Sequence, residues 1–492
     1  MSPVPRTAPE HLGLFIDGTW RDALSGSTFP TEDPATGEEI AQVAEARAED
    51  VDLAVTAARR AFETGKWRTM SASRRSRLLY RVGDLILENL DEFARLESMD
   101  GGKPISETKA VDIPLSAETF HYFAGWPTKI TGDTIPVNPR MLTYTLREPL
   151  GVCALIVPWN FPLLLAARKL APALAAGNTV VLKPASQTPL SVLLLAQICQ
   201  DAGIPPGVVN IIGGSGSHAG EALVAHPGVD KISITGSTRT GQSIMKAAAQ
   251  NVTKVSLELG GKSPNIILDD ADLKGAVRGI IGGIFYNKGE VCTAGSRLFV
   301  QSSIHDELIE ALVGKAEKMS AGQGDTLDPD TRLGPQVSAG QLDNALRYVE
   351  HGREEGAELV TGGMRNDPLG PGVGHFLKPT IFTGVTNQMR IAREEIFGPV
   401  LSVIRFDDLD DAITQGNDSF YGLAAGVWTQ DLSRAHRAAS LLQAGTVWVN
   451  CYNVFDAAAP YGGFKRSGFG RENGGAVLDE YTHLKTVILN VG

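Results

Sequence analysis

A two-domain α/β protein built on doubly wound sheets is what this sequence predicts, and three observations predict it. The chain has 492 residues, more than one hydrophobic core usually organises. Short β-branched runs alternate with helical patterns from Gly151 to Glu258, and again from about Gly261 to Val449. The polar tracts of the first block follow its strands, where open parallel sheets bind ligands.

Taken in order, the chain opens with a strand at Leu14 to Ile16 and an Asp17-Gly18 turn, then a loop rich in Pro, Thr and Gly. Apolar residues at helical spacing in Val51 to Phe62 and Arg74 to Glu97 read as scaffold helices. Trp126 to Glu148 carries Thr, Val, Ile and Tyr in near alternation with polar residues, which predicts a projecting strand pair. Its exposed edges need a partner, so a homodimer or homotetramer is expected. The first alternating block places strands at Val152 to Val157, Thr179 to Lys183, Val208 to Ile212, Lys231 to Thr235 and Lys254 to Leu257, with helices between. The second places them at Asn265 to Leu268, Arg297 to Val300, Val400 to Phe406, Ala424 to Trp428 and Thr446 to Val449. The tail from Tyr481 to Val491 alternates again and is expected to pair with the projecting element.

Composition narrows the function. The hydrophobic fraction of 43% suits a globular protein, and a net charge of -11 opposes general nucleic-acid affinity. No uninterrupted apolar run approaches the roughly 20 residues of a membrane span. Four cysteines without paired spacing, and an N-terminal tract without an apolar core, point to the cytoplasm. No His-x-x-His, Cys-x-x-Cys or His-Glu-x-x-His spacing occurs, so no metal is expected.

Within that frame a few residues stand out. Cys292 lies between Gly289 and Gly295, on a turn after the apolar run Ile280 to Phe285, whereas Cys153 and Cys199 lie inside apolar runs and read as core. Glu258 ends a strand among apolar neighbours, so it is paired with Lys262, reaches solvent, or is a base of raised pKa. Two glycine turns compete for a dinucleotide phosphate. Gly214-Ser215-Gly216-Ser217-His218-Ala219 fits Gly-x-Gly-x-x-Ala, and Gly236-Ser237 opens a helix whose N-terminus favours an anion. Spacing alone favours the first; the physics of anion binding leaves both open. Glu394-Glu395 reads as a solvated helix end and Asn160 as a turn residue.

Seven tracts fall in one order along nearly the whole chain: Pro158-Trp159-Asn160-Phe161-Pro162, Lys183-Pro184-Ala185, Thr235-Gly236-Ser237-Thr238, Leu257-Glu258-Leu259-Gly260-Gly261-Lys262, Gly289-Glu290-Val291-Cys292, Glu395-Ile396-Phe397-Gly398-Pro399-Val400 and Pro460-Tyr461-Gly462-Gly463-Phe464-Lys465. Together they resemble the aldehyde dehydrogenase superfamily. The resemblance implies oxidation of an aldehyde to the acid with reduction of NAD or NADP. Cys292 would be the nucleophile, Asn160 and the Cys292 N–H the oxyanion hole, and Glu258 the base that activates water on the thioester. It implies a cofactor site at Trp159, Lys183, Ser186, Gly236, Ser237, Glu395 and Phe397, with the pyrophosphate at Gly236-Ser237. The substrate tunnel would be lined by Phe161, Leu165, Arg168, Tyr286 and Phe455. The domains implied are a dinucleotide-binding domain over 1–125 and 149–258, a catalytic domain over 259–470, and an oligomerisation element over 126–148 and 471–492.

Two positions depart from commoner members. Ser186 stands where NAD-preferring relatives often place a glutamate, so NADP is expected to be tolerated. Arg168 matches an arginine that succinate semialdehyde dehydrogenases use for a carboxylate, but Tyr286 replaces their second arginine. The alternatives are a coenzyme A-acylating dehydrogenase, which needs no base such as Glu258; a cysteine-dependent esterase, for which no histidine lies in a triad-like motif; and a non-catalytic binding role.

Overall fold

Pattern and packing agree most closely in the first alternating block. In the computed structural model, which describes residues 6–492, five parallel strands lie in the spatial order Val209–Ile211, Thr179–Lys183, Val152–Ile156, Lys231–Thr235 and Lys254–Glu258. Met1 to Pro5 of the N-terminal tract lie outside the described residues. Alternate residues of these strands enter different cores. Cys153, Leu155, Val180 and Leu182 pack on one face, and Val152, Ala154, Val181 and Ile232 on the other. Burial on both faces is why the strands read as apolar runs instead of alternating ones. A hairpin of Leu14–Ile16 and Thr19–Arg21 closes one edge, and Gly468–Phe469 closes the other, both antiparallel.

Strand order reverses at Val152–Ile156: the chain builds outward to one side, then returns to lay Lys231–Thr235 on the other. Ile156 and Ile234 are partners in the register, so the loops Pro158 to Phe161 and Gly236-Ser237 leave from neighbouring strand ends. Such a reversal opens the crevice in which doubly wound sheets hold ligands.

Helix Pro162–Ala176 lies against this crevice with every residue buried. Pro162 suits its first turn, where an N–H would have no partner, and Gly177 at φ +97° ends it in a left-handed cap. A helix buried all round must be apolar or must pair its charges. Arg168 and Lys169, in the middle of this one, therefore need partners inside the protein.

The second block forms a seven-stranded sheet in the order Glu358–Thr361, Thr380–Thr383, Val400–Phe406, Arg297–Gln301, Pro264–Ile267, Ala424–Trp428 and Thr446–Val449. All are parallel except the first pair. The two strands at Glu358–Thr361 and Thr380–Thr383 are additions to the expected five. The tail strand Thr482–Asn490 pairs antiparallel with Met141–Pro149 along its whole length, as its alternation suggests.

Two expectations need correction. Arg74 to Glu97 is not one helix but two, Ala72–Glu88 and Leu90–Gly101, broken at Asn89, whose side chain bonds back to the Leu85 carbonyl. Trp126 to Glu148 is not a strand pair. It supplies one strand; the stretch before it adds an isolated bridge from Thr134 to Tyr144 and hydrogen bonds from Asp133 and Ile135 to Thr145 and Thr143, while the ladder partner is the tail.

Candidate active site

The turn that carries Cys292 is built against the usual preference of L-residues. Helix Leu273–Ile284 is followed by three consecutive left-handed residues, Asn287 (φ +45°), Lys288 (φ +50°) and Gly289 (φ +78°). For the non-glycine pair this costs on the order of 1–3 kcal/mol each. A side chain at Gly289 would meet the Gly398 carbonyl carbon at 2.3 Å, so only glycine fits. Buried contacts hold the turn: the Asn287 N–H donates to Glu107, its amide to the Asn160 and Glu290 carbonyls, and Lys288 pairs with Glu290.

Two cavities meet at the thiol. One, about 280 Å³, is lined by Phe161, Leu165, Arg168, Glu258, Tyr286, Cys292, Phe455 and Tyr461 among others. The second, about 290 Å³, is lined by Trp159, Asn160, Gly236, Ser237, Cys292, Glu395 and Phe397 among others. Cys292 and Thr235 belong to both. Burial first, then the carboxylates Glu258 and Glu395, push the Cys292 thiol up to about 12, while Tyr461 and Arg168 act the other way.

Asn160 is 5% exposed, and its Nδ2 donates to the Glu290 carbonyl at 3.0 Å, leaving one amide hydrogen free. The Cys292 N–H has no acceptor among the described residues. Asn160 and Cys292 line the same cavity, so two donors with hydrogens to spare border it, a pair that suits a developing oxyanion.

Glu258 is buried and one of its oxygens has no partner. Burial, and then the neighbouring Glu472, raise its pKa well above the carboxylate range; Lys169, Arg168 and Arg471 act against this. The pairing with Lys262 does not form. Lys262 is buried with an unpartnered amine, and burial, then Arg297, lower its pKa to about 7. Lys169 instead pairs with Glu472 and reaches Ser233 at 3.3 Å. Sequence reasoning missed Lys169 and Glu472. The Arg168-Lys169 pair in an otherwise apolar helix was the signal for the first, and nothing marks Glu472.

On the other side of the sulfur, Trp159 and Phe397 meet edge to face at 5.2 Å. Phe397 is itself left-handed (φ +59°), and Gln341 and Asn344 hold its loop by the Ile396 and Phe397 carbonyls. Glu394 bonds Arg390 and Tyr348 at the surface, as a helix end should. Glu395 does not follow it: it turns inward to accept from the Gly261 N–H at 2.9 Å, and burial lifts its pKa to about 7. Ser237 caps helix Thr238–Ala248 at the cavity, where first-turn N–H groups favour an anion. The other glycine turn leads into a five-residue π-helix, Gly216–Gly220, continued by the short helix Glu221–Ala225, and lines neither cavity. Lys183 and Ser186 line neither cavity. Lys183 is buried, bonds the Pro184 carbonyl, and is lowered to about 8 by burial; half-buried Ser186 follows on the loop beyond it.

Arg168 is 6% exposed and has no carboxylate within ion-pair distance among the described residues. Its guanidinium lies 5.1 Å from the Phe455 ring centre and 5.5 Å from that of Tyr461. Phe161 stacks on Tyr286, whose hydroxyl donates to Asp112 at 3.0 Å. Tyr286 is therefore tied outward from the cavity by its polar end. No group of potential metal ligands occurs among the described residues, and no helix there is long and apolar enough to cross a membrane.

A dinucleotide-type sheet reversal beside a half-buried cysteine shared by two cavities suits an oxidoreductase of the dinucleotide-dependent class. Comparison with known proteins gives the family. The aldehyde dehydrogenase family model matches residues 20–487, and the chain belongs to that family. Human aldehyde dehydrogenase 1A1 is 49% identical over 484 residues, covering 98% of this chain and 95% of the relative. Human retinal dehydrogenase 2 is 48% identical over 492 residues, covering 100% and 94%. An aldehyde dehydrogenase from Bacillus cereus, solved in complex with NAD+, superposes with a TM-score of 0.96 at 48% identity, covering 98% of this chain and 97% of that one. The protein is an oxidoreductase that oxidises aldehydes with NAD(P).

Proposed function

We propose that Cys292 is the nucleophile of this oxidation, Glu258 the base that hydrolyses the resulting thioester, and Asn160 with the Cys292 N–H the oxyanion hole. The observation that carries the proposal is that a single thiol lines both cavities, so one reacting carbon can face both. Aldehyde enters the cavity of Phe161, Leu165, Arg168, Tyr286 and Phe455. The cofactor fits the other cavity, where Ser237 opens a helix N-terminus and the inward-turned Glu395 offers a carboxylate to ribose hydroxyls. Bound there, NAD or NADP supplies the hydride acceptor.

The protein's own residues supply the rest. Cys292 attacks the carbonyl carbon, and the electron pair displaced onto oxygen is met by the Asn160 amide and the Cys292 N–H. A covalent sp³ carbon carrying an oxyanion is the species from which hydride can leave. Glu258, of raised pKa, then takes a proton from water as that water attacks the thioester, and acid is released. A hydrolytic base so placed favours free acid over transfer to coenzyme A. Arg168, buried without an ion-pair partner, favours aldehydes that carry an anionic group.

Lys183 and Ser186, at the end of strand Thr179–Lys183, would serve the adenosine ribose, with no carboxylate at 186 to repel a 2′-phosphate. Dual use of NAD and NADP follows. The domain division is that of two sheets, with Met141–Pro149 and Thr482–Asn490 as the oligomerisation element. Its exposed Leu142, Leu146, Leu484 and Ile488 support a homodimer or homotetramer. Four free cysteines, two of them buried, suit the reducing cytoplasm.

The test is Cys292→Ala assayed with aldehydes and either cofactor. Turnover should vanish while cofactor binding, followed by fluorescence titration, persists. Retained turnover would assign the nucleophile elsewhere.

A further inference from the structure

Tyr461 touches the thiol, and the reaction as described does not use it. Its hydroxyl oxygen lies 3.4 Å from the Cys292 sulfur, and its side chain is buried at 4% exposure on the wall of the substrate cavity. The phenol is fixed from three sides. Its backbone exchanges two 2.7 Å hydrogen bonds with Glu472, its ring meets Phe455 edge to face at 5.7 Å, and the Arg168 guanidinium lies over it. The following Gly462, at φ +156°, passes so close to the Gly470 carbonyl that a side chain there would approach it to 2.8 Å. The hydroxyl therefore has little freedom to turn away from the sulfur.

We propose that Tyr461 is a catalytic residue, whose hydroxyl donates a hydrogen bond to the Cys292 thiolate before attack and to the same sulfur as it leaves the acyl group. This rests on Cys292 being the nucleophile. A thiolate can only accept, so with sulfur ionised the phenol must be the donor. Burial keeps the phenol protonated, since its pKa is pushed well above its ordinary value. The charged groups that face Cys292 are Glu258, at the end of strand Lys254–Glu258, Glu395, on the loop after helix Arg390–Arg393, and Arg168, on helix Pro162–Ala176. Both carboxylates oppose a thiolate. Arg168 and the phenol favour it, and the phenol alone touches it. The other phenol nearby, Tyr452, is committed to the Thr293 carbonyl at 2.8 Å. During attack the S–C bond forms as the carbonyl π pair moves to oxygen. During hydrolysis the S–C bond breaks and its pair returns to sulfur. The phenolic proton is shared at both moments and transferred at neither.

The experiment is the rate of iodoacetamide alkylation at Cys292, mapped by peptide mass spectrometry across pH, in wild type and Tyr461→Phe. A hydrogen bond to a charged acceptor is worth roughly one to two pH units here, so alkylation at a fixed pH below the thiol pKa should slow by roughly 10- to 100-fold. Melting temperature and cofactor affinity should stay put, which a merely structural role would not guarantee. Placing 3-fluorotyrosine, a stronger donor, at 461 should speed alkylation, and this arm decides the matter if the Phe variant does not fold. Equal profiles for wild type and the folded Phe variant, or no acceleration with fluorotyrosine, would overturn the proposal. Cys292→Ser separates the two readings: if that variant still oxidises aldehyde at the wild-type rate, the nucleophile assignment fails, whatever Tyr461 does.

Discussion

Replacing Glu258 by glutamine removes the sole carboxylate, among the described residues, on the wall of the substrate-side cavity. Of the other carboxylates, neighbouring Glu472 is paired with Lys169, and Glu395 lines the opposite cavity and is held by the Gly261 N–H, so among the described residues neither is placed to take over. A positioned general base contributes about 10²–10⁴ in rate, or about 2.7–5.4 kcal/mol of barrier. Hydride transfer does not need this base, so the loss should fall on hydrolysis alone. In a stopped-flow assay of reduced cofactor, Glu258→Gln should give a burst of about one equivalent per site, then a steady state lowered by about 10²–10⁴. An unchanged steady-state rate would refute the assignment, and loss of the burst itself would place Glu258 in the first half of the reaction.

The same substitution has a stability signature, because the folded-state pKa of Glu258 is raised by burial and by Glu472. A raised carboxylate contributes stability that is fully present below its unfolded value, about 4.3, and is lost as pH rises through the folded value. Glutamine cannot ionise and carries no such dependence. The melting temperature of Glu258→Gln relative to wild type should therefore rise with pH across that window. A difference that is flat in pH would mean that Glu258 ionises as freely in the folded protein as in the unfolded chain.

Asn160→Ala should slow the chemical step by about 10²–10³, the usual effect of losing one oxyanion donor, with little change in the Michaelis constant. An effect on the Michaelis constant alone would make Asn160 a binding residue. Ser186→Glu should depress NADP turnover far more than NAD turnover, since it sets a carboxylate against a 2′-phosphate. Equal effects on both cofactors, or no NADP activity in the wild type at millimolar concentration, would mean that residue 186 does not face the ribose.

Much of the fold was legible because buried parallel strands must be apolar, and the runs at Thr179–Lys183, Lys231–Thr235, Val400–Phe406 and Ala424–Trp428 have the bounds their composition suggests. Glu358–Thr361 and Thr380–Thr383 were not legible, since short strands beside a long loop lack a periodicity of their own. The break at Asn89 was missed because helical spacing continues through it, while a side-chain hydrogen bond decides the local geometry. The site divides along similar lines. Cys292 showed itself by glycine punctuation, and Glu258 by a charge among apolar neighbours. The inward turn of Glu395, the Lys169–Glu472 pair and the phenol at 461 depend on contacts more than fifty residues apart in sequence, which no local pattern records.

The central claim is a covalent acyl enzyme on Cys292. Acid quenching Glu258→Gln during the burst, followed by intact-mass measurement and peptide mapping, tests it most directly. The protein should gain about one acyl group per chain, lost on treatment with neutral hydroxylamine and located on the peptide that carries Cys292. A full burst of reduced cofactor with unmodified protein, or an adduct on any other residue, would contradict it.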